Sequence, residues 1–192
     1  MKKIMSILVM FALLLCFTAC ANNSKETDGS SDIASKETEL NKSEAKALVV
    51  YFSCTGNTKA VAQKISKLTG ADLYEIISTD PYTDEDLNYN NDNCRANKEM
   101  NDPDARPAIG SNAIDISNYD IVFIGYPIWW GTMPRIINTF LDTYDLSDKT
   151  VMPFCTSGGS GISKSVSDMK AQELDADIRD GLRANGSSDS GI

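Results

Sequence analysis

The sequence contains no histidine. Histidine is the residue whose ordinary pKa best suits acid–base work near neutral pH, and it is the commonest metal ligand. Its absence excludes histidine general bases, Cys–His dyads and histidine-based metal sites. Chemistry in this protein must therefore come from carboxylates, thiols, hydroxyl groups, the backbone or a bound cofactor, and we predict no metal site.

Basic residues are also scarce: 18 Lys and Arg are outnumbered by 27 Asp and Glu, and the formal charge is −9. An acidic surface repels the phosphate backbone of nucleic acids and anionic lipid headgroups. We therefore expect no nucleic-acid partner. The 192 residues are enough for one domain of ordinary size.

The hydrophobic run Ile4–Phe17 is shorter than a usual transmembrane helix and follows two lysines, as the apolar core of an export signal does. The tetrapeptide FTAC, which ends at Cys20, resembles a bacterial lipobox. Residues 1–19 are thus predicted to be a lipoprotein signal peptide, with cleavage before Cys20 and lipidation of its thiol. The alternative is a plain secretory signal in which Cys20 has no role.

Residues 20–45 are dominated by Ser, Lys, Glu, Asp, Asn and Thr. Such a segment buries too little apolar surface to fold, so we predict a flexible tether with a reach of roughly 25–30 Å. The protein is then exported and held at the outer face of the bacterial cell membrane through its lipid anchor only. The folded domain is predicted to span residues 46–192.

Strand-like and helix-like patterns alternate along this domain, which predicts a doubly wound parallel α/β sheet. The helix after the first strand is expected to present Val61, Ile65 and Leu68 on one face. The polar segment 79–118 suits an irregular helix over Asp84–Met100, and it is either a substrate lid or, as we favour, a solvated crossover. The five predicted strands lie at 48–52, 71–78, 119–124, 150–156 and 176–185.

The loop after the first strand, Ser53–Thr58, has the form of a phosphate site, because hydroxyl groups and a helix N-terminus follow a buried strand. Its single glycine, Gly56, fits neither the GxxxxGK[ST] pattern of a nucleotide-triphosphate loop nor the GxGxxG pattern of a dinucleotide fingerprint. A cysteine phosphatase loop is excluded because Ala60 stands where arginine is needed. The alternative is an ordinary turn capped by Thr55 or Asn57.

Two further loops follow the third and fourth strands, at Pro127–Thr132 and Thr156–Gly161. The carboxyl ends of parallel strands meet at one edge of the sheet, where ligands of such folds bind. Three loops that are far apart in the chain are therefore expected to converge on one site. This expectation depends on no single motif.

The segments SCTGNTK, GYPIWWGTMPRIINTFLD and TSGGSGISKS together resemble a bacterial flavodoxin-like, FMN-binding family. The resemblance implies a five-stranded sheet of order 2-1-3-4-5. The sequence departs from the family in its final helix, which is predicted to start at 187–189 and is nearly absent. The resemblance also implies that FMN binds at the ends of strands one, three and four. The cofactor-binding residues it implies are Ser53, Cys54, Thr55, Gly56, Asn57, Thr58, Pro127, Ile128, Trp129, Trp130, Gly131, Thr132, Thr156, Ser157, Gly158, Gly159 and Gly161.

Individual roles follow from the chemistry of the flavin, whose ring is flat with apolar faces. Either Trp129 or Trp130 is expected to stack on the ring while the other packs against the fold. Gly131 would let a backbone carbonyl turn toward the flavin N5. Cys54 is either a reactive thiol at a helix N-terminus or, as we favour, small filler in the phosphate loop. No residue is predicted to be catalytic, since the cofactor carries the chemistry.

The leading hypothesis is an FMN-binding protein that carries electrons between redox partner proteins. One alternative is an FMN-dependent NAD(P)H:quinone-type reductase, with small nicotinamide and quinone partners. A second alternative is a flavin-free surface binding module on the same fold.

Overall fold

The computed structural model describes residues 45–185. The predicted signal peptide, Cys20, the tether up to residue 44 and the helix start at 187–189 lie outside the described residues. The elements, in chain order, are β1 (Ala47–Phe52), α1 (Asn57–Thr69), β2 (Asp72–Ile76), α2 (Arg95–Asn101), β3 (Ile121–Pro127), α3 (Arg135–Thr143), β4 (Thr150–Ser157), α4 (Ser163–Gln172), β5 (Asp177–Ile178) and β6 (Leu182–Asn185).

The strands form a parallel sheet of order β2-β1-β3-β4-β5, and β6 also pairs with β4. This confirms the predicted order 2-1-3-4-5. β1 lies between β2 and β3, and its residues from Leu48 to Phe52 are buried, as its unbroken apolar run indicates. No helix within residues 45–185 is long and apolar enough to cross a membrane.

Each face of the sheet carries its own apolar core. On one face α1 covers Val49, Tyr51 and Phe154. On the other face the side chains of α3 and α4 pack on residues such as Val50 and Ile124. The sheet is therefore a buried middle layer whose chemistry must lie at its edges or at the ends of its strands.

Helix α1 faces the sheet with part of the predicted stripe, since Val61 and Ile65 pack against the core on that face. Thr58 and Ala62 are buried, whereas Leu68 is 70% exposed. At about 100° per residue, Leu68 lies about 120° around the helix from Ala62. The prediction that Leu68 belongs to the buried stripe was wrong, because the side of the helix that faces the strands is centred on Thr58 and Ala62, with Val61 and Ile65 beside them.

The fifth strand position holds two short strands, β5 and β6, where one strand over 176–185 was predicted. The carbonyl of Val151 accepts the N–H of Arg179 at 2.9 Å, so this edge of β4 faces β5. Pro153, two residues further along β4, faces the same neighbouring strand position and has no N–H to donate. The ladder is interrupted there, and the partner strand breaks at the same level.

The crossover between β2 and β3 is more ordered than predicted. The only α-helix in it is α2, seven residues long, so the prediction of a helix over Asp84–Met100 was wrong for residues 84–94, which form turns and bends. Hydrogen bonds from Thr79 N–H to Ala108 C=O (2.9 Å) and from Gly110 N–H to Ile77 C=O (2.7 Å) join the start of the crossover to its residues 108–110. Cys94, Ala96, Asn97 and Met100 are buried, so one side of the crossover packs against the fold instead of facing solvent.

Candidate functional site

A cavity of about 660 Å³ opens at the carboxyl ends of β1, β3 and β4. All three predicted loops contribute to its wall, so the expected convergence is present in the structure. Its lining residues are Ser53, Cys54, Thr55, Asn57, Thr58, Leu87, Tyr89, Ala96, Pro127, Ile128, Trp129, Trp130, Thr156, Ser157 and Gly158. The volume lies within the usual range of about 300–1,000 Å³ for small-molecule sites.

The first loop leads into α1 without a side-chain cap. Gly56 is the N-cap residue at φ 85°, a left-handed conformation that favours glycine. The side chain of Asn57 donates to Thr55 Oγ1 at 3.2 Å, and neither residue caps the helix. The alternative of a turn capped by Thr55 or Asn57 was therefore wrong. The first-turn N–H groups receive no side-chain cap, and they suit an anionic group.

A buried pair of hydroxyl groups joins the first loop to the third. Thr58 Oγ1 and Thr156 Oγ1 lie 2.8 Å apart, although 98 residues separate them in the chain. Thr58 is 1% exposed and Thr156 is 5% exposed. The end of β4 is thus held against the start of α1, which fixes the distance between two walls of the cavity.

The second loop is a tight two-residue turn. Trp129 N–H donates to Thr132 C=O at 2.9 Å, and Thr132 N–H donates to Trp129 C=O at 3.0 Å. The two central residues, Trp130 and Gly131, have φ of 47° and 82°. Turns of this kind need positive φ at both central positions. A bulky residue in this conformation is strained, and such strain concentrates at functional sites.

The two tryptophans occupy different surroundings, although both line the cavity. Trp129 makes edge-on contacts with Phe52 and Tyr82, at ring-centroid distances of 5.7 Å and 5.3 Å. Trp130 is 43% exposed at the rim, and its ring is edge-on to that of Trp129 at 6.5 Å. Of the two tryptophans, Trp130 is therefore the one with an exposed aromatic face at the cavity.

Five of the predicted binding residues do not belong to the cavity wall: Gly56, Gly131, Thr132, Gly159 and Gly161. The first two supply the left-handed backbone of their loops. The hydroxyl of Thr132 donates to Asp168 Oδ2 at 2.5 Å, so it ties the second loop to α4. Gly158 does line the cavity, and a Cβ there would meet nothing within 4 Å, which leaves room for a ligand close to the backbone.

Three lining residues were missed by sequence reasoning: Leu87, Tyr89 and Ala96, which all come from the crossover. Ala96 is 1% exposed, whereas Tyr89 is 75% exposed. The only signal in the sequence was an aromatic residue in a segment otherwise rich in Asn and Asp. We refer to these three residues as the crossover wall.

Cys54 lines the cavity, but its surroundings do not activate it. Burial raises the pKa of the Cys54 thiol to about 12, despite the nearby guanidinium of Arg95. A thiol at a helix N-terminus often has a lowered pKa, yet removal from water dominates here. This favours the interpretation of Cys54 as small filler in the loop.

Alkylation of native protein with iodoacetamide at pH 8 should label Cys54 very slowly. A pKa near 12 in place of 9.0 reduces the thiolate fraction about a thousandfold. Mass spectrometry of the Cys54 peptide measures this rate, with the same reaction in guanidinium chloride as the control. Native labelling as fast as in the denatured chain would contradict the assignment.

Stability should fall at alkaline pH because several groups hold their protons more tightly in the folded state. Burial raises the pKa of Cys54 to about 12 and that of Cys155 to about 11, against 9.0 for an ordinary thiol, and it raises the pKa of the Tyr126 phenol as well. The stability that the folded protein gains by keeping these groups protonated is fully present below pH 9, and it is lost as the pH rises toward 12. The denaturant concentration at the unfolding midpoint should therefore be constant from pH 7 to 8.5 and should decrease above about pH 9. A level midpoint up to pH 11 would rule this out.

A parallel sheet of order 2-1-3-4-5, with helices on both faces and a cavity beyond the carboxyl ends of its central strands, defines a flavodoxin-like α/β protein. A model of the Flavodoxin family matches residues 46–191. The chain therefore belongs to the Flavodoxin family.

Solved structures give the same result. A protein from Bacteroides eggerthii, which has been crystallised and is assigned as a flavoprotein, is 49% identical to this chain. The match covers 74% of this chain and 91% of that protein, with a TM-score of 0.70. A second such protein, from Bacteroides uniformis, is 38% identical. The match covers 74% of this chain and 92% of that protein, with a TM-score of 0.72. A flavoprotein from Lactobacillus acidophilus, crystallised in complex with FMN, is 28% identical. The match covers 72% of this chain and 93% of that protein, with a TM-score of 0.63. No curated protein matches the chain.

Proposed function

We propose that this protein binds FMN in the cavity and acts as an exported electron-transfer flavoprotein. The observation that carries the proposal is the meeting of three separate loops in one cavity at the ends of β1, β3 and β4. The FMN complex of the Lactobacillus acidophilus relative, which has a TM-score of 0.63, supports the choice of ligand.

The first loop fits the phosphate. It offers the uncapped N-terminus of α1 together with the hydroxyl groups of Ser53 and Thr55, which line the cavity. No charged side chain is needed, because backbone N–H groups and the helix dipole favour an anion. The pair of Thr58 and Thr156 would hold this loop in place beneath the phosphate.

The second and third loops fit the flavin ring. Trp130 offers an exposed aromatic face at the rim, and Gly158 leaves its backbone open to a flat group. Trp129 is fixed by Phe52 and Tyr82, so it would form a rigid wall. The role of Gly131 in turning a carbonyl toward the flavin remains a prediction.

When bound, FMN accepts and passes on one or two electrons. The chain would bind the phosphate, orient the ring and exclude water from its buried side. We propose redox proteins as the partners of the carrier. The formal charge of −9 favours partners with basic surfaces and disfavours nucleic acid.

Reconstitution tests this function. Purified protein incubated with FMN and freed of excess ligand should show flavin absorption near roughly 450 nm. Thr55→Ala should weaken FMN binding about tenfold, since a hydrogen bond to a charged group is lost. Thr69→Ala, at the far end of α1, is the matched control and should leave the affinity unchanged. Protein that remains colourless would favour a flavin-free binding module.

An FMN-dependent reductase is the second candidate, and one observation favours it. The crossover wall extends the cavity beyond the three flavin loops, which a pure electron carrier would not need. Steady-state oxidation of NAD(P)H with a quinone would favour the reductase. Reoxidation by protein partners alone would favour the carrier.

We further propose that Cys20 carries the lipid anchor that holds the domain at the outer face of the membrane. The support is the charged start, the apolar run and the FTAC tetrapeptide of the sequence. Labelled palmitate fed to a bacterial host should be incorporated into the full chain and not into Cys20→Ala. Absence of label from the unaltered chain would contradict the anchor.

A further inference from the structure

The turn Trp129–Thr132 contains a backbone conformation that its own residues do not favour. Trp130 has φ of 47°, and this left-handed region is unfavourable for a bulky side chain. Such a conformation persists only where the surrounding structure fixes it. Because Trp130 presents an exposed aromatic face at the cavity, the contacts that hold this turn also position that face.

Packing holds the first end of the turn. The ring of Trp129 contacts those of Phe52 and Tyr82 edge-on, at centroid distances of 5.7 Å and 5.3 Å. Two backbone hydrogen bonds between Trp129 and Thr132, at 2.9 Å and 3.0 Å, then close the turn. The conformation between them is therefore held only as firmly as Thr132 is held at the second end.

A carboxylate on α4 holds that second end. The hydroxyl of Thr132 donates to Asp168 Oδ2 at 2.5 Å, although 36 residues separate the two. Thr132 is 8% exposed, so the loss of this acceptor would leave a buried hydroxyl group without a partner. A hydrogen bond to an ionised carboxylate is also stronger than one between neutral groups. Asp168 is thus a firm anchor for the turn.

The position of Asp168 is fixed in its turn by Lys164, one helical turn earlier in α4. Lys164 Nζ donates to Asp168 Oδ1 at 3.0 Å and to Oδ2 at 2.8 Å. The side chain of Lys164 is 63% exposed, so water and salt screen this ion pair and it contributes little to stability. We therefore expect the carboxylate of Asp168, and not the ammonium group of Lys164, to carry most of the effect on the turn.

We propose that Asp168 is a positioning residue for FMN: through Thr132 it holds the second loop, and with it the face of Trp130, in place before the flavin ring binds. This inference rests on the proposed function, because it concerns how that site binds its ligand. A turn that is already in its binding conformation pays no ordering cost when the ring binds, so the affinity is higher. Without the anchor, Trp130 would leave the left-handed region, and ligand binding would have to restore it.

The FMN-free protein allows the anchor to be tested without the ligand. The chain contains two tryptophans, both in this turn, so near-ultraviolet circular dichroism in the tryptophan band reports on it. Thr132→Val removes the hydroxyl at nearly constant shape and should weaken that band, whereas Thr132→Ser should retain it. Thr139→Val is the matched control, because the Thr139 hydroxyl donates to Pro107 C=O at 2.9 Å, away from the turn. An unchanged band in Thr132→Val would overturn the inference.

Fluorescence titration with FMN measures the consequence for binding. Thr132→Val and Asp168→Ala should each raise the dissociation constant of FMN about fivefold to tenfold. The double variant should bind no more weakly than either single variant, because both changes remove the same hydrogen bond. Asp168→Asn keeps an acceptor and loses the charge, so its affinity should lie between those of the unaltered protein and Asp168→Ala. Lys164→Gln should change the affinity less than about twofold. Losses that multiply in the double variant would contradict the anchor.

Unfolding by denaturant separates positioning from a general loss of stability. Thr139→Val loses a threonine hydrogen bond of the same kind in α3, so it should be destabilised about as much as Thr132→Val and yet keep its affinity for FMN. An equal loss of affinity in Thr139→Val would overturn the positioning role. Failure of the unaltered protein to bind FMN would refute the proposed function itself, whereas an unchanged circular dichroism band would refute only the anchor.

Discussion

Gly125→Ala should lower the free energy of unfolding by about 3 kcal/mol, the upper end of the cost of overpacking a core. Gly125 lies in β3 beside Phe154 of β4, and an added Cβ would stand 2.1 Å from the Cζ of that ring. Phe154 is 2% exposed and belongs to the core under α1, so its ring has no free space to enter. Chemical denaturation of the two proteins measures the difference.

Two comparisons make this result specific. Gly159→Ala, where a Cβ would meet nothing within 4 Å, should change stability by less than about 0.5 kcal/mol. In a Phe154→Leu background the cost of Gly125→Ala should fall below about 1 kcal/mol, because the smaller side chain removes the clash. Additive losses in the double variant would show that the ring is not the obstacle.

Trp130→Ala should weaken FMN binding about tenfold to a hundredfold, through loss of an aromatic face at the cavity rim. Trp130→Gly should weaken it equally. The two variants should differ in stability, because position 130 has φ of 47° and only glycine adopts this conformation without strain. We expect the glycine variant to be more stable than the alanine variant by about 1 kcal/mol.

A fluorescence titration with FMN measures the affinity of each variant. Unfolding of the FMN-free proteins by denaturant measures their stability. Trp130→Phe should keep most of the affinity, since it retains an aromatic face. Unimpaired FMN binding in both small variants would remove Trp130 from the site. Equal stability of the alanine and glycine variants would show that the turn at 130–131 is not strained.

The sequence allowed the sheet and much of the cavity to be predicted, because both depend on local patterns. Leu48–Phe52 and Ile121–Ile124 are unbroken apolar runs that are fully buried in β1 and buried at Val122 and Ile124 in β3, and helical patterns follow them. The parallel arrangement then places the ends of three strands at one edge, and twelve of the fifteen lining residues fall in the three predicted loops. The order of the strands came from the resemblance to a family, and the structure confirms it.

The remainder depends on contacts between distant parts of the chain. The break between β5 and β6 follows from which edge of β4 Pro153 faces, and that is known only once the register is known. The pairing of Thr58 with Thr156 spans 98 residues and leaves no local signal. The crossover wall arises from turns without hydrophobic periodicity, so Leu87 and Tyr89 resembled ordinary surface residues.

The pair of hydroxyl groups that joins the first loop to the third also links ligand binding to folding. Because the two threonines lie 98 residues apart, the cavity is complete only after β4 has docked beside β3 and α1 has packed beneath it. An incompletely folded chain then has no competent site, and FMN selects the native state alone. Saturating FMN should consequently prolong the lifetime of the folded protein while leaving its folding rate unchanged.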